Sequence, residues 1–149
     1  MSRFSQRSLM RSTQRGFTLI ELLIVMVIIG LLASLVGPRL FGQLDGAKIK
    51  ATKSQIEMMG SALDAYRLDM GRYPSTEQGL NLLWEKPSDQ ADATRWRGPY
   101  LKKKVEKDAW GNAYVYKAPG AHGEYDLSSL GSDGQEGGEG DAADINSWE

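Results

Sequence analysis

The chain has 149 residues, a length for one compact domain or one domain plus an appendage. Lys and Arg number 18 against 19 Asp and Glu, and a net charge of −1 argues against nucleic acid or any strongly charged partner. With no cysteine and a single histidine, His122, the sequence excludes a disulfide scaffold, a zinc site of the usual Cys/His kind and a cysteine nucleophile. The balanced total conceals a strong segregation. Residues 1–16 carry four arginines and no acid, residues 17–37 carry only Glu21, and residues 121–149 carry eight acids and no Lys or Arg. A chain sorted in this way has parts that meet different surroundings.

The first element is an apolar run of 20 residues, Phe17 to Val36, interrupted by one charge, Glu21. At about 1.5 Å per residue it is roughly 30 Å long as a helix, the thickness of a bilayer's hydrocarbon core. The arginines before it place residues 1–16 in the cytoplasm and the rest of the chain outside, in a periplasm or at a cell surface. A cleaved secretory signal peptide is a poor match. The apolar core is too long, and Ala33-Ser34-Leu35 is not a good small-x-small cleavage site. A plain membrane anchor leaves Glu21 unexplained, because a carboxylate in an apolar span costs roughly 2.5–3.5 kcal/mol. No Lys or Arg lies within the span, so the partner of Glu21 must come from elsewhere.

Gly37-Pro38 then predicts a kink or local melting near Val36–Pro38, since the residue before proline avoids helical dihedrals. Beyond it the pattern becomes amphipathic. Leu44, Ala47, Ala51, Ile56, Met59, Leu63, Tyr66 and Met70 recur at three- and four-residue steps, and core packing is expected for Met58, Met59 and Met70. Gly71 and Pro74 end this helix. Residues 76–84 read as a short helix capped by Ser75 or Thr76, with Leu80, Leu83 and Trp84 as its apolar face, and residues 86–98 as a polar loop. Short alternating runs at 100–101, 113–116 and 125–128 predict a small antiparallel sheet. The fold class expected is therefore α+β, a long N-terminal helix packed on that sheet. Residues 131–144 are too rich in Gly and Asp for regular structure. The acids there support two readings, a solvated disordered tail or a site for a hard cation such as Ca²⁺, which takes six to eight oxygens. The spacing does not fit an EF-hand.

The heptapeptide Arg15-Gly16-Phe17-Thr18-Leu19-Ile20-Glu21 resembles the leader junction of the type IV pilin superfamily. The resemblance implies that a prepilin peptidase cuts between Gly16 and Phe17 and methylates the amine of Phe17. It implies too that Glu21 serves assembly, pairing with the Phe17 amine of a neighbouring subunit. Pairing relieves both desolvation costs. Stretches of the head resemble one branch, the major pseudopilin of the type II secretion system. They are residues 72–80, Gly98-Pro99-Tyr100, Asp108-Ala109-Trp110-Gly111 with Tyr114, residues 119–123 with Tyr125-Asp126, residues 129–134, and residues 144–148. Ala109 stands where that branch usually has proline. The implied organisation is a cleaved leader (1–16), a transmembrane assembly helix (17–37), its amphipathic second half (38–71) and a periplasmic head with a C-terminal calcium loop (72–149).

Major pseudopilins bind Ca²⁺ in this loop, and the resemblance carries the ligands onto the side chains of Asp133 and Asp144 and the carbonyls of Leu130 and Gln135. Where some members have two adjacent aspartates this chain has Ala143, and Asp141 is the expected replacement; Glu136 is expected to point outward. The implied partners are further copies of the chain in a homopolymer, minor pseudopilins, the inner-membrane assembly platform, the prepilin peptidase and the membrane, which a single span crosses before assembly. The implied function is a structural one, a subunit of the pseudopilus that drives folded proteins across the outer membrane. The alternative is a type IV pilin of a surface fibre. An enzyme is not expected, since His122 lies in a turn sequence with no nucleophile motif nearby. Nucleic acid is not expected either. Arg95-Trp96-Arg97 and Lys102-Lys103-Lys104 interleave cations with an aromatic, but the chain from Phe17 onward carries 14 basic against 19 acidic residues.

Overall fold

The structure is a computed structural model and describes residues 16–149. The expected leader, apart from Gly16, lies outside the described residues. Two units divide the chain, one ending at Leu40 and the other spanning Phe41–Glu149. Helix α1, Leu19–Met70, contributes to both and is unbroken at Pro38. The local melting expected there is not observed. One missing hydrogen bond falls inside a long cooperative helix whose apolar, straight-chain and β-branched neighbours keep theirs.

In the first unit the apolar side chains of α1 are exposed among the described residues. Leu19, Ile20, Leu23, Ile28, Leu31 and Leu35 are all at least half exposed, on every side of the helix. An all-round apolar helix of this length needs lipid or other helices to cover it. It is the one helix among the described residues long and apolar enough to cross a membrane.

In the second unit α1 becomes amphipathic and supplies one wall of the core. Thr52, Ile56, Met59, Ala62, Leu63, Tyr66 and Met70 are buried at helical spacing. The stripe starts later than the sequence pattern indicates, for Leu44, Ala47 and Ala51 are exposed. Met58 is exposed as well, since it stands one position, about 100° of turn, away from fully buried Met59. Gly71 ends the helix at φ 76°. The expected helix over 76–84 is only a 3₁₀ turn, Leu80–Leu83. Ser75 and Gln78 do cap each other's backbone N–H, but Gly79 at φ 63° stops the turn from propagating. The polar loop contains a six-residue helix α2, Gln90–Arg95, whose N-cap Asp89 accepts from Asp92 N–H at 3.2 Å.

The antiparallel sheet has the order β1-β2-β3, from strands Val115–Lys117, Asp126–Ser129 and Ile145–Asn146. Tyr116 pairs with Leu127, and Ser129 with Ile145. The run at 100–101 is not a strand. Leu101 is buried in the core instead, and its N–H, like that of Tyr100, bonds the Leu83 carbonyl. Leu127, Leu83, Leu63 and Tyr66 meet at the centre of the core. Beyond β2 the chain makes turns and a 3₁₀ segment, Gly140–Ala142, before β3 returns it to the sheet.

Candidate functional site

At the start of α1, Thr18 and Glu21 form a reciprocal cap. The Glu21 carboxylate accepts from Thr18 N–H at 2.8 Å and from the Thr18 hydroxyl at 2.9 Å, while Glu21 N–H donates to Thr18 Oγ1 at 3.3 Å. Both carboxylate bonds fall on Oε2, so Oε1 carries neither. The Thr-x-x-Glu spacing of a capping box is in the sequence, and it identifies a role for Thr18 that a search for charge partners passes over. Glu21 thus closes the helix's first turn and brings a carboxylate into the start of an apolar segment, four residues beyond Phe17. Phe17 itself is 82% exposed.

The second candidate site is the loop between β2 and β3. Gly131, Gly134, Gly137, Gly138 and Gly140 all have positive φ, which wraps the chain back on itself. Gly138 and Gly131 are the tightest, because a Cβ there would stand 2.4 Å and 2.7 Å, respectively, from the Ala142 carbonyl. Of the five residues expected to hold a cation, the structure brings two to one cavity. Leu130 and Asp144 line it, together with Glu136, whose side chain is exposed but faces the same space. One Asp144 oxygen accepts from Gly137 N–H at 2.9 Å, and the other, Oδ1, is buried with no hydrogen-bond partner among the described residues. An orphaned buried carboxylate oxygen is costly, so it calls for a donor or a cation. Asp133 is exposed and accepts from Gln135 N–H at 3.0 Å. Asp141 is half-buried, and its carbonyl accepts from Ser132 N–H. Asp133, Gln135 and Asp141 do not line the cavity. Among the described residues no three carboxylate or imidazole side chains converge tightly enough to hold a metal by themselves. Any cation here would therefore draw on backbone carbonyls or on hydroxyl and amide oxygens as well.

The same cavity is bounded by the chain's single histidine. The His122 ring stacks on Trp148 at 4.1 Å between centroids and 8° between planes. Its Nδ1 lies 3.1 Å from Asp126 Oδ2, and Asp126 also accepts from the N–H groups of Ala121 and His122. Burial raises the Asp126 carboxyl, but these N–H groups and the imidazole outweigh it and hold the carboxyl below its ordinary value. The arrangement closes a turn and holds the C-terminal Trp148 against it. A carboxyl lowered in the folded state contributes stability above the unfolded value and loses it as pH falls through the folded one. Asp126→Asn should therefore lower the melting temperature at neutral pH, and its deficit relative to the parent should vanish in acid. Melting curves across pH check this.

The family described as "Type II secretion system (T2SS), protein G" matches residues 39–148, and the "Prokaryotic N-terminal methylation motif" matches residues 11–37. The type II secretion system core protein G of Pseudomonas aeruginosa is 47% identical over 139 residues, which are 93% of this chain and 98% of that protein. The Vibrio cholerae protein of the same name is 46% identical over 91% of this chain and 92% of its own. Among solved structures, the major pseudopilin from the type 2 secretion system of enterohaemorrhagic Escherichia coli aligns with a TM-score of 0.59 at 38% identity, over 74% of this chain and 95% of that one. A methylation motif at an N-terminal apolar helix, followed by this helix-and-sheet head, places the chain in the type II secretion system protein G family.

Proposed function

We propose that the chain is stored in the inner membrane with its head in the periplasm, cut between Gly16 and Phe17 by a prepilin peptidase, N-methylated on Phe17 and polymerised into the pseudopilus. The observation that carries this reading is Glu21, held at the first turn of an apolar helix that has no protein cover of its own. In the membrane, lipid covers that helix. In a fibre, neighbouring copies cover it, and the Phe17 amine of one copy meets the Glu21 carboxylate of the next, so that two buried charges neutralise each other. The work done is mechanical and the subunit is not an enzyme. Minor pseudopilins and the inner-membrane assembly platform are the remaining partners. Family membership does not favour the surface-fibre alternative. Complementation tests the reading. In a secretion-competent bacterium deleted for its own protein G, this chain should restore export of folded proteins; surface fibres with no restored export would support the pilin alternative instead.

The head further takes one Ca²⁺, through Asp133, Asp144 and Asp141 and the carbonyls of Leu130 and Gln135. Support comes from the orphaned Asp144 oxygen, its shared cavity with Leu130, and a loop of positive-φ glycines able to aim carbonyls inward. When bound, the ion neutralises carboxylates that otherwise repel one another and staples a head that has no disulfide.

A further inference from the structure

The turn at residues 108–112 is built around a buried carboxylate that neither the membrane helix nor the cation ligands use. Asp108 is 7% exposed, and its Oδ1 accepts from the N–H groups of Trp110 at 3.0 Å and Asn112 at 2.8 Å. Its Oδ2 accepts from the hydroxyl of fully buried Ser129 at 2.6 Å. The Ser129 oxygen in turn accepts from Gly131 N–H at 3.3 Å. The Asn112 side-chain amide donates to the Gly131 carbonyl at 2.8 Å, and the same side chain lies against Gly134. The turn is itself fastened to α1, since Ala109 N–H donates to the hydroxyl of buried Thr52.

Two of these bonds hold Gly131 from either side, Ser129 at its N–H and Asn112 at its carbonyl. The Leu130 carbonyl and the Gly131 N–H belong to the same rigid amide, so fixing the N–H fixes the direction of the carbonyl. Leu130 lines the same cavity as Asp144, and its carbonyl accepts from Gly134 N–H at 3.2 Å. We propose that Asp108, acting through Ser129, and Asn112 are positioning residues of the cation loop, setting the direction of the Leu130 carbonyl and the path of the chain through Gly131 before any ion arrives. The inference rests on the calcium reading above, and it goes beyond that reading by assigning the loop's affinity partly to residues that touch no ion. Groups that orient a metal's ligands commonly account for about tenfold to a hundredfold in affinity.

The test uses the full chain in detergent, titrated with Ca²⁺ by calorimetry and melted in chelator and in excess Ca²⁺. Ser129→Ala removes the link between Asp108 and Gly131, and Asn112→Ala removes the second grip independently, so one variant remains informative if the other folds poorly. Each should weaken Ca²⁺ binding by about tenfold or more and shrink the calcium-dependent rise in melting temperature. A purely structural role would lower the melting temperature equally in both conditions and leave the affinity at the parent's value, which would overturn the inference while the calcium site stands. A parent chain that binds no Ca²⁺ would overturn both together.

Discussion

Glu21→Leu should enter the membrane at the level of the parent and yield at least tenfold less fibre. The substitution removes the only charge of the apolar segment, so insertion becomes easier. In the fibre it leaves the neighbouring Phe17 amine buried without a partner. Breaking a buried pair from one side costs about 3–5 kcal/mol, and each 1.4 kcal/mol is a factor of about ten. Glu21 also caps its own helix through Thr18, and the two roles separate in Glu21→Gln. The amide keeps an oxygen for the Thr18 N–H but carries no charge. Glutamine should therefore preserve the helix start and still fail to assemble. Crosslinked fibre, measured at equal membrane levels, decides the matter. Normal yield from the glutamine variant would show that capping alone is what the fibre needs from residue 21.

Removing calcium should have the second largest effect. An ion bound to the folded state alone stabilises it by about 2.7 kcal/mol at a hundredfold excess over Kd. For a head of this size that is a fall in melting temperature on the order of 10 °C when chelator replaces calcium. Asp144→Ala should abolish most of the difference, because the orphaned oxygen disappears with the side chain. Asp133→Ala should do the same, provided that the exposed 133–135 turn closes onto the ion. Mg²⁺ should substitute poorly, since an irregular glycine-rich loop does not readily offer a strict octahedron. Melting that is indifferent to both calcium and chelator would remove the ion from the account.

How much of this was readable beforehand depended on whether a local pattern or a distant contact decided the outcome. The buried stripe from Ile56 to Met70 and the stop at Gly71 follow from period and backbone freedom, and both are as expected. Strand β3 is two residues long and exists because Ser128 and Ser129 offer it an edge, a long-range fact that Ile145-Asn146 alone does not reveal. Helix α2 had a local sign, the N-cap Asp89, inside a stretch whose polarity suggested a loop. The capping box at Thr18 was equally local. At the cation loop the family resemblance named Leu130 and Asp144 among the ligands, and both line one cavity. It could not show that Asp133 and Asp141 stand away from that cavity, because glycine dihedrals set the loop's path and side-chain chemistry does not. The grip of Asp108 and Asn112 on Gly131 spans about twenty residues of sequence and was invisible until the chain was folded.

The central claim is that this chain is a processed fibre subunit, and its N-terminus tests that claim most directly. Intact-mass analysis of protein extracted from membranes that contain a prepilin peptidase should give a chain beginning at Phe17 and carrying one methyl group, while membranes lacking the peptidase should give the uncut chain. A mass corresponding to an uncut chain in both membranes, or to a cut after Ala33, would contradict it.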